Sequence, residues 1–76
     1  MPYIAIKGYP KDDETNKIVV EKINQILLEN WGCAQDAISI SVEEVAPEKW
    51  VETVVEKEIE PNAGKMYIHN GEKKYR

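Results

Sequence analysis

Two short stretches of the chain alternate apolar and polar residues. In residues 2–7 an isoleucine recurs at every second position, at Ile4 and Ile6, and residues 38–43 alternate isoleucine and valine with serine and glutamate. A period of two places successive side chains on opposite faces of an extended chain. Both stretches are therefore predicted to be short, half-buried β-strands.

The segment between these strands has the pattern of an amphipathic helix. Residues 11–15 supply helix-start chemistry, because an N-cap aspartate accepts a hydrogen bond from a free backbone N–H and acidic residues suit the positive end of the helix dipole. The helix is predicted to run to about Asn30, with Gly32 placed to end it. Its apolar stripe consists of Val19, Ile23, Ile26 and Leu27, widened by Ile18 and Val20.

A strand, a helix and a second strand make a βαβ unit, so the predicted fold class is α/β. The two strands should run parallel with a right-handed crossover, and the helix should cover their isoleucine face. The opposite face carries Ser39 and Ser41 and has no cover of its own. Since two strands and one helix do not make an independent core, we expect a second copy of the chain to lie on that face.

The second half of the chain predicts another helix and a hairpin. Pro47 suits a first helical position, where its missing N–H costs nothing. Asn70 and Gly71 follow a short apolar run and favour a type I′ hairpin turn. We therefore expect one domain over residues 1–76, with a core at 2–60 and an extension at 61–76. The apolar residues at helical spacing before Pro61 are Trp50, Val51, Val54, Val55 and Ile59.

Composition limits the kind of protein. The 76 residues carry 10 basic and 14 acidic side chains, a net charge of −4, which argues against nonspecific nucleic-acid or anionic-membrane binding. One cysteine, Cys33, and one histidine, His69, exclude an internal disulfide and a Cys/His metal site. Without a disulfide or a structural metal site, a small chain gains stability by oligomerisation. No apolar run is long enough for a membrane span and no signal-peptide pattern is present, so we expect a cytoplasmic protein.

Charge is distributed unevenly in the second half. Residues 43–60 hold seven acids and two lysines, whereas residues 65–76 hold four bases and one acid. One interpretation is that the basic tail pairs with the acidic helix of its own chain or of a neighbouring chain. The other is that the two segments are separate solvated surfaces. The sequence leaves these alternatives open.

The candidate for chemistry is the amino terminus, since no nucleophilic triad, phosphate loop or paired-cysteine motif is found. A small second residue favours removal of Met1, which would leave Pro2 as a terminal secondary amine. An amine in an apolar pocket or near another cation has a lowered pKa and can act as a general base. Trp31, by contrast, is expected to be a core residue or a subunit contact.

Several motifs occur together in one order. They are the opening Met-Pro-Tyr-Ile-Ala-Ile-Lys, the length of the βαβ unit, and Ser-Ile-Ser-Val at 39–42 leading to Val-Ala-Pro-Glu-Lys-Trp at 45–50. Together they resemble the tautomerase superfamily, whose general type is 4-oxalocrotonate tautomerase. The resemblance covers residues 2–60. The Ser-Ile-Ser-Val strand, the Pro-Glu-Lys-Trp turn and the tail after Pro61 are most similar to its dimeric phenylpyruvate tautomerase branch.

The resemblance implies a set of site residues. It implies an amino-terminal proline base, at Pro2, and an aromatic wall, at Trp50. The two arginines of the family would fall at or beside Lys11 and at Ser39, so this chain departs from the family there. Lys11 can supply positive charge without the bidentate fork of arginine, and Ser39 can hydrogen-bond a substrate. The alternatives are a solvated turn lysine, a packing serine and a core tryptophan.

The predicted function is tautomerisation of a small enol or 2-keto acid by a homo-oligomer, with a dimer favoured. No metal or organic cofactor is expected, because proton transfer needs only a base and an electrostatic partner. One alternative is a non-catalytic oligomerising module with a degenerate site. Another is a different proline-dependent reaction, such as decarboxylation, dehalogenation or hydration, which would need further arginines or acids.

Overall fold

A computed structural model describes residues 1–75 of the chain. The chain divides into two compact units, Met1–Val45 and a second one that begins at Ala46. The first unit contains strand β1 (Tyr3–Gly8), helix α1 (Asp13–Asn30), a short 3₁₀ turn at Gln35–Ala37, and strand β2 (Ser39–Glu44). The predicted βαβ order, and with it the α/β fold class, is confirmed.

The two strands pair in parallel, in a register that runs from Tyr3 opposite Ser39 to Gly8 opposite Glu44. Backbone hydrogen bonds extend this ladder at both ends: the Ser39 N–H donates to the Pro2 carbonyl at 3.2 Å, and the residue after Glu44 donates to the Gly8 carbonyl at 2.8 Å. On the face away from α1, the side chains of Tyr3, Ala5, Ser39 and Ser41 are exposed. The predicted uncovered face is therefore present.

Both ends of α1 follow the predicted capping chemistry. Asp12 is the N-cap and accepts hydrogen bonds from the backbone N–H and the hydroxyl of Thr15. The hydroxyl bond is the main cause that holds the pKa of Asp12 below its ordinary value. At the other end Trp31 is the C-cap and Gly32 adopts a positive φ of 63°, the left-handed conformation for which glycine carries no steric penalty.

The cap predicts a pH-dependent contribution to stability. Since the folded pKa of Asp12 is lowered, its contribution is present above the unfolded pKa of about 3.9 and is lost as pH falls through the lower folded pKa. We expect Asp12→Ala to lower the unfolding temperature at pH 7. Asp12→Asn should retain the cap but show a smaller loss of stability between pH 5 and pH 3. Thermal unfolding monitored by circular dichroism tests this, and equal acid sensitivity of Asp12→Asn and the wild type would contradict it.

The apolar stripe of α1 is wider than its contact with the sheet. Leu27 is buried and Val20 and Ile23 are half-buried, as expected for the face toward the strands. Other members of the predicted stripe are exposed. The physical reason is the width of the sheet, because two strands about 5 Å apart cover only the central row of a helix. The exposed members are Ile18, Val19 and Ile26.

The exposure of Trp31 also differs from what the sequence predicted. Its side chain is 69% exposed, so the predicted core position is wrong within the chain. The alternative, that Trp31 is a subunit contact, stays a prediction.

The second unit begins with a 3₁₀ turn at Pro47–Lys49 and continues as a nine-residue helix at Val51–Ile59. The predicted helix is confirmed, but it is wound as a π-helix, and the Glu60 N–H donates to the Val55 carbonyl five residues back at 2.9 Å. The less exposed positions of this segment are Trp50, Thr53, Val54, Val55 and Ile59.

The predicted hairpin is also confirmed. Strands β3 (Ile68–His69) and β4 (Glu72–Lys73) pair antiparallel, and the turn residues Asn70 and Gly71 have φ values of 50° and 81°. Two positive φ angles identify the expected type I′ turn. Lys74 forms an ion pair within this segment, 3.3 Å from Glu72. Arg76, which belongs to the predicted basic tail, lies outside the described residues.

Within residues 1–75, no helix combines the length and the apolar character that crossing a membrane requires.

Candidate active site

Pro2 lies at the amino end of β1 and is among the few buried residues of the chain. Its carbonyl accepts the Ser39 N–H at 3.2 Å, so the first ladder bond of the sheet fixes its position. Met1 before it is 99% exposed. The fold therefore holds Pro2 in place. Met1, whose removal would turn the Pro2 nitrogen into a free amine, lies in solvent.

Ser39 is the predicted site residue that the structure places beside Pro2. It begins β2 opposite Tyr3, and its backbone N–H is used by the Pro2 carbonyl. By strand alternation, the Ser39 hydroxyl lies on the exposed face with Tyr3, whereas Pro2 shares the face of Ile4. The two residues meet at one end of the sheet but present their side chains to opposite faces.

Lys11 lies at the other end of the same sheet. Its backbone N–H donates to the Glu44 carboxylate at 3.1 Å, at the end of β2. The six-residue strand β1 separates this point from Pro2, which amounts to roughly 20 Å at the rise of an extended strand. Within one chain the structure does not bring Lys11 and Pro2 together, so a joint role requires the lysine of another copy.

Trp50 belongs to the second unit, where it follows the 3₁₀ turn and precedes the π-helix. Its backbone N–H donates to the Pro47 carbonyl, and its side chain is half-buried. The proline-led turn that the sequence predicted therefore fixes the backbone position of Trp50. Its assignment as an aromatic wall rests on the family resemblance.

A cleft at the carboxyl ends of the strands is a feature that sequence reasoning missed. Its volume is about 760 Å³, and Val20 and Val42 contribute apolar surface to it. A crevice at this end of parallel strands is a general signal that could have located it. Its charged residues are mainly acidic, which does not suit an anionic substrate. They are Asp13, Glu21, Glu43 and Glu44, with Lys11 and Lys17 as the basic members.

No cluster of three or more His, Cys, Asp or Glu side chains within the described part of the chain is arranged to hold a metal ion.

Comparison with known proteins finds one matching family and several similar proteins that share one name. A family described as Tautomerase enzyme matches residues 2–58. The chain is 33% identical over 64 residues to Tautomerase PptA of Pectobacterium atrosepticum strain SCRI 1043, covering 82% of this chain and 84% of that protein. It is 28% identical, with the same coverage, to Tautomerase PptA of Pectobacterium carotovorum subsp. carotovorum strain PC1. Tautomerase PptA of Cronobacter sakazakii strain ATCC BAA-894 is 29% identical over 63 residues, covering 80% of this chain and 83% of that protein.

Proposed function

Because the chain belongs to the tautomerase family, we propose that it interconverts the enol and keto forms of a small 2-keto acid, with Pro2 as the base. A tautomerase-type function follows from the family match over residues 2–58 and from the curated relatives. The observation that carries the finer proposal is the placement of Pro2, which is buried and fixed at the amino end of β1.

The proposed step moves one proton between two atoms of the substrate. After Met1 is removed, the neutral amine of Pro2 takes the proton of the enol hydroxyl, and the electron pair of that O–H bond forms the carbonyl. The carbon of the former double bond then takes a proton from the protonated amine. A fixed base supports this exchange because a positioned proton acceptor typically contributes a factor of about 10²–10⁴ in rate.

The negative charge that develops on oxygen needs a partner. A backbone N–H near Pro2, or the Ser39 hydroxyl of a second copy, would donate a hydrogen bond to it, and Lys11 of a second copy would attract the substrate carboxylate. Trp50 would supply the aromatic wall. The sequence contains one arginine, Arg76, so the candidate residues offer no bidentate contact for a second carboxylate.

The proposed partners are therefore a small enol acid and a second copy of the chain, in a cytoplasmic setting. The exposed sheet face formed by Tyr3, Ala5, Ser39 and Ser41 is the surface we assign to that copy. The proposal includes no cofactor.

A non-catalytic oligomerising module is the second candidate. The distance between Lys11 and Pro2 within the chain favours it, because without a second copy the proposed base has no lysine beside it. Detection of proline-dependent activity in the assembled protein would exclude it.

Substrate charge provides a direct test of the proposed site. We expect phenylenolpyruvate, a monoacid, to give a higher kcat/KM than 2-hydroxymuconate, a diacid, because Lys11 and Ser39 are point donors for carboxylates. Ser39→Arg should raise kcat/KM for the diacid about tenfold, since a hydrogen bond to a charged group contributes about 1.5 kcal/mol or more. Gln25→Arg, at an exposed position of α1 outside the face assigned to the second copy, is the control, and both variants must sediment as the same oligomer as the wild type. A wild-type preference for the diacid would show that a carboxylate-binding residue has been missed.

A further inference from the structure

The turn of the β3–β4 hairpin presents an asparagine directly followed by a glycine. Asn70 and Gly71 are both exposed, and their φ values of 50° and 81° lie in the left-handed region. The strands pair through residues 68–69 and 72–73, so the Gly71 N–H lies in the turn, outside that pairing. A side-chain amide carbon and the backbone nitrogen of the next residue are thus neighbours at an open surface.

The Asn70 carboxamide makes only a weak contact within the described residues. Its nitrogen lies 3.4 Å from Nε2 of His69, which is longer than a usual hydrogen bond. The exposed Asn62, by contrast, donates from its carboxamide to the Glu58 carbonyl at 2.8 Å and precedes an alanine. Gly71 has no Cβ beside its nitrogen, and among residues 1–75 no atom beyond its chain neighbours lies within 4 Å of the place a Cβ would take. The Asn70 amide carbon is therefore accessible to that nitrogen.

We propose that Asn70 is a deamidation site, at which the side-chain amide is converted slowly to aspartate or isoaspartate. A base in the solvent removes the proton of the Gly71 N–H, and the nitrogen lone pair forms a bond to the Asn70 side-chain carbon. The C–N bond of the amide breaks, and its nitrogen leaves as ammonia with a proton from water. Water then opens the cyclic imide at either of its two carbonyls. The net reaction consumes one water and releases one ammonia.

This reaction requires the hairpin to open. The imide ring contains the backbone bond of the Asn70 ψ angle and holds it away from the value of a type I′ turn. A two-stranded hairpin is only marginally stable in water, so local opening needs little free energy. At the end away from the turn, the Lys74 N–H donates to the Tyr67 carbonyl at 2.7 Å. The rate of deamidation therefore depends on this backbone hydrogen bond.

The two products affect the hairpin differently. Asp-Gly fits a type I′ turn as Asn-Gly does, so aspartate retains the strand pairing. Isoaspartate adds one carbon to the backbone of the turn and disrupts the register that the two-residue loop sets. The rings of Tyr67 and Tyr75, whose centroids are 6.2 Å apart in the intact hairpin, then separate. Either product also adds one negative charge to the basic segment 65–76.

The test follows deamidation of the full chain in neutral buffer by mass spectrometry of its proteolytic peptides. We expect Asn70 to convert while Asn62, the internal control, remains an amide. Lys74→Pro removes the N–H that Tyr67 accepts and should speed conversion about 2- to 10-fold, the size of one backbone hydrogen bond. Lys74→Ala removes the same charge but keeps the N–H, so its rate should stay close to that of the wild type.

Gly71→Ala separates the attacking nitrogen from the opening of the turn. Alanine disfavours the positive φ and opens the turn, but its methyl group hinders the nitrogen, so conversion at Asn70 should slow. Four results overturn the inference: no conversion at Asn70, equal conversion at Asn62, equal rates for Lys74→Pro and Lys74→Ala, or an undiminished rate in Gly71→Ala.

NMR tests the structural consequence without reference to activity. Cross-relaxation between the Tyr67 and Tyr75 rings should persist in Asn70→Asp, which reproduces the aspartate product. It should be lost in the isoaspartate fraction, which electron-transfer fragmentation identifies. Ring contact that persists in that fraction would show that the hairpin tolerates the additional backbone carbon, and the proposed disruption would be wrong.

Discussion

A preparation that retains Met1 is expected to show no proline-dependent tautomerase activity, whereas the same chain without Met1 should be active. The nitrogen of Pro2 in the longer chain is an amide, and its lone pair is delocalised into the peptide bond. It therefore cannot accept a proton. The loss should reach about a hundredfold or more, the typical contribution of a positioned general base. Mass spectrometry distinguishes the two chains, and ketonisation of phenylenolpyruvate measures their rates.

The pH profile and a substitution sharpen this test. In the Met1-free protein, kcat/KM should rise with pH as the amine loses its proton. Pro2→Ala keeps a terminal amine but a primary and more mobile one, so we expect a large decrease without complete loss. Both chains must show the same oligomer by sedimentation. Equal activity with and without Met1 would exclude Pro2 as the base and favour the non-catalytic module.

The second large effect concerns assembly. We expect the wild type to sediment as a dimer or larger species at micromolar concentration, and Ala5→Glu to dissociate it. Ala5 lies opposite Ser41 in the middle of the exposed face. Burying an unpaired charge there would cost about 3 kcal/mol or more, which corresponds to an increase in the dissociation constant of about a hundredfold.

Gln25→Glu is the matched control for this substitution. It adds the same charge at an exposed position of α1 and should leave the oligomer intact. Dilution series by analytical ultracentrifugation compare the three proteins. A stable wild-type monomer at micromolar concentration would contradict the assignment of the exposed face to a second copy.

Features governed by local chemistry were predictable from the sequence. The alternation around Ile4 and Ile6 gave a strand, Asp12 gave a cap, and Asn70 with Gly71 gave the turn of the hairpin. In each case the conformation is determined by residues that lie within a few positions of one another. The family resemblance also followed from short motifs, and the match over residues 2–58 confirms it.

Features that depend on the dimensions of a neighbouring helix or sheet were not predictable from the sequence. Ile18 and Ile26 are exposed because the sheet is two strands wide, and Trp31, the C-cap residue of α1, is 69% exposed. The spacing of the apolar residues predicted a helix over Val51–Ile59 but not its π winding. Lys11 and Pro2 lie apart because β1 runs between them. Short sequence motifs contain no information about that distance.

The ladder bond that holds Pro2 has a consequence for the timing of biosynthesis. The Pro2 carbonyl becomes bonded only when β2, which ends at Glu44, pairs with β1. At about 5–20 residues per second, the ribosome takes seconds to produce that strand. During this interval the strand that carries Pro2 has no partner, so the candidate base becomes fixed in place only after most of the first unit has been synthesised.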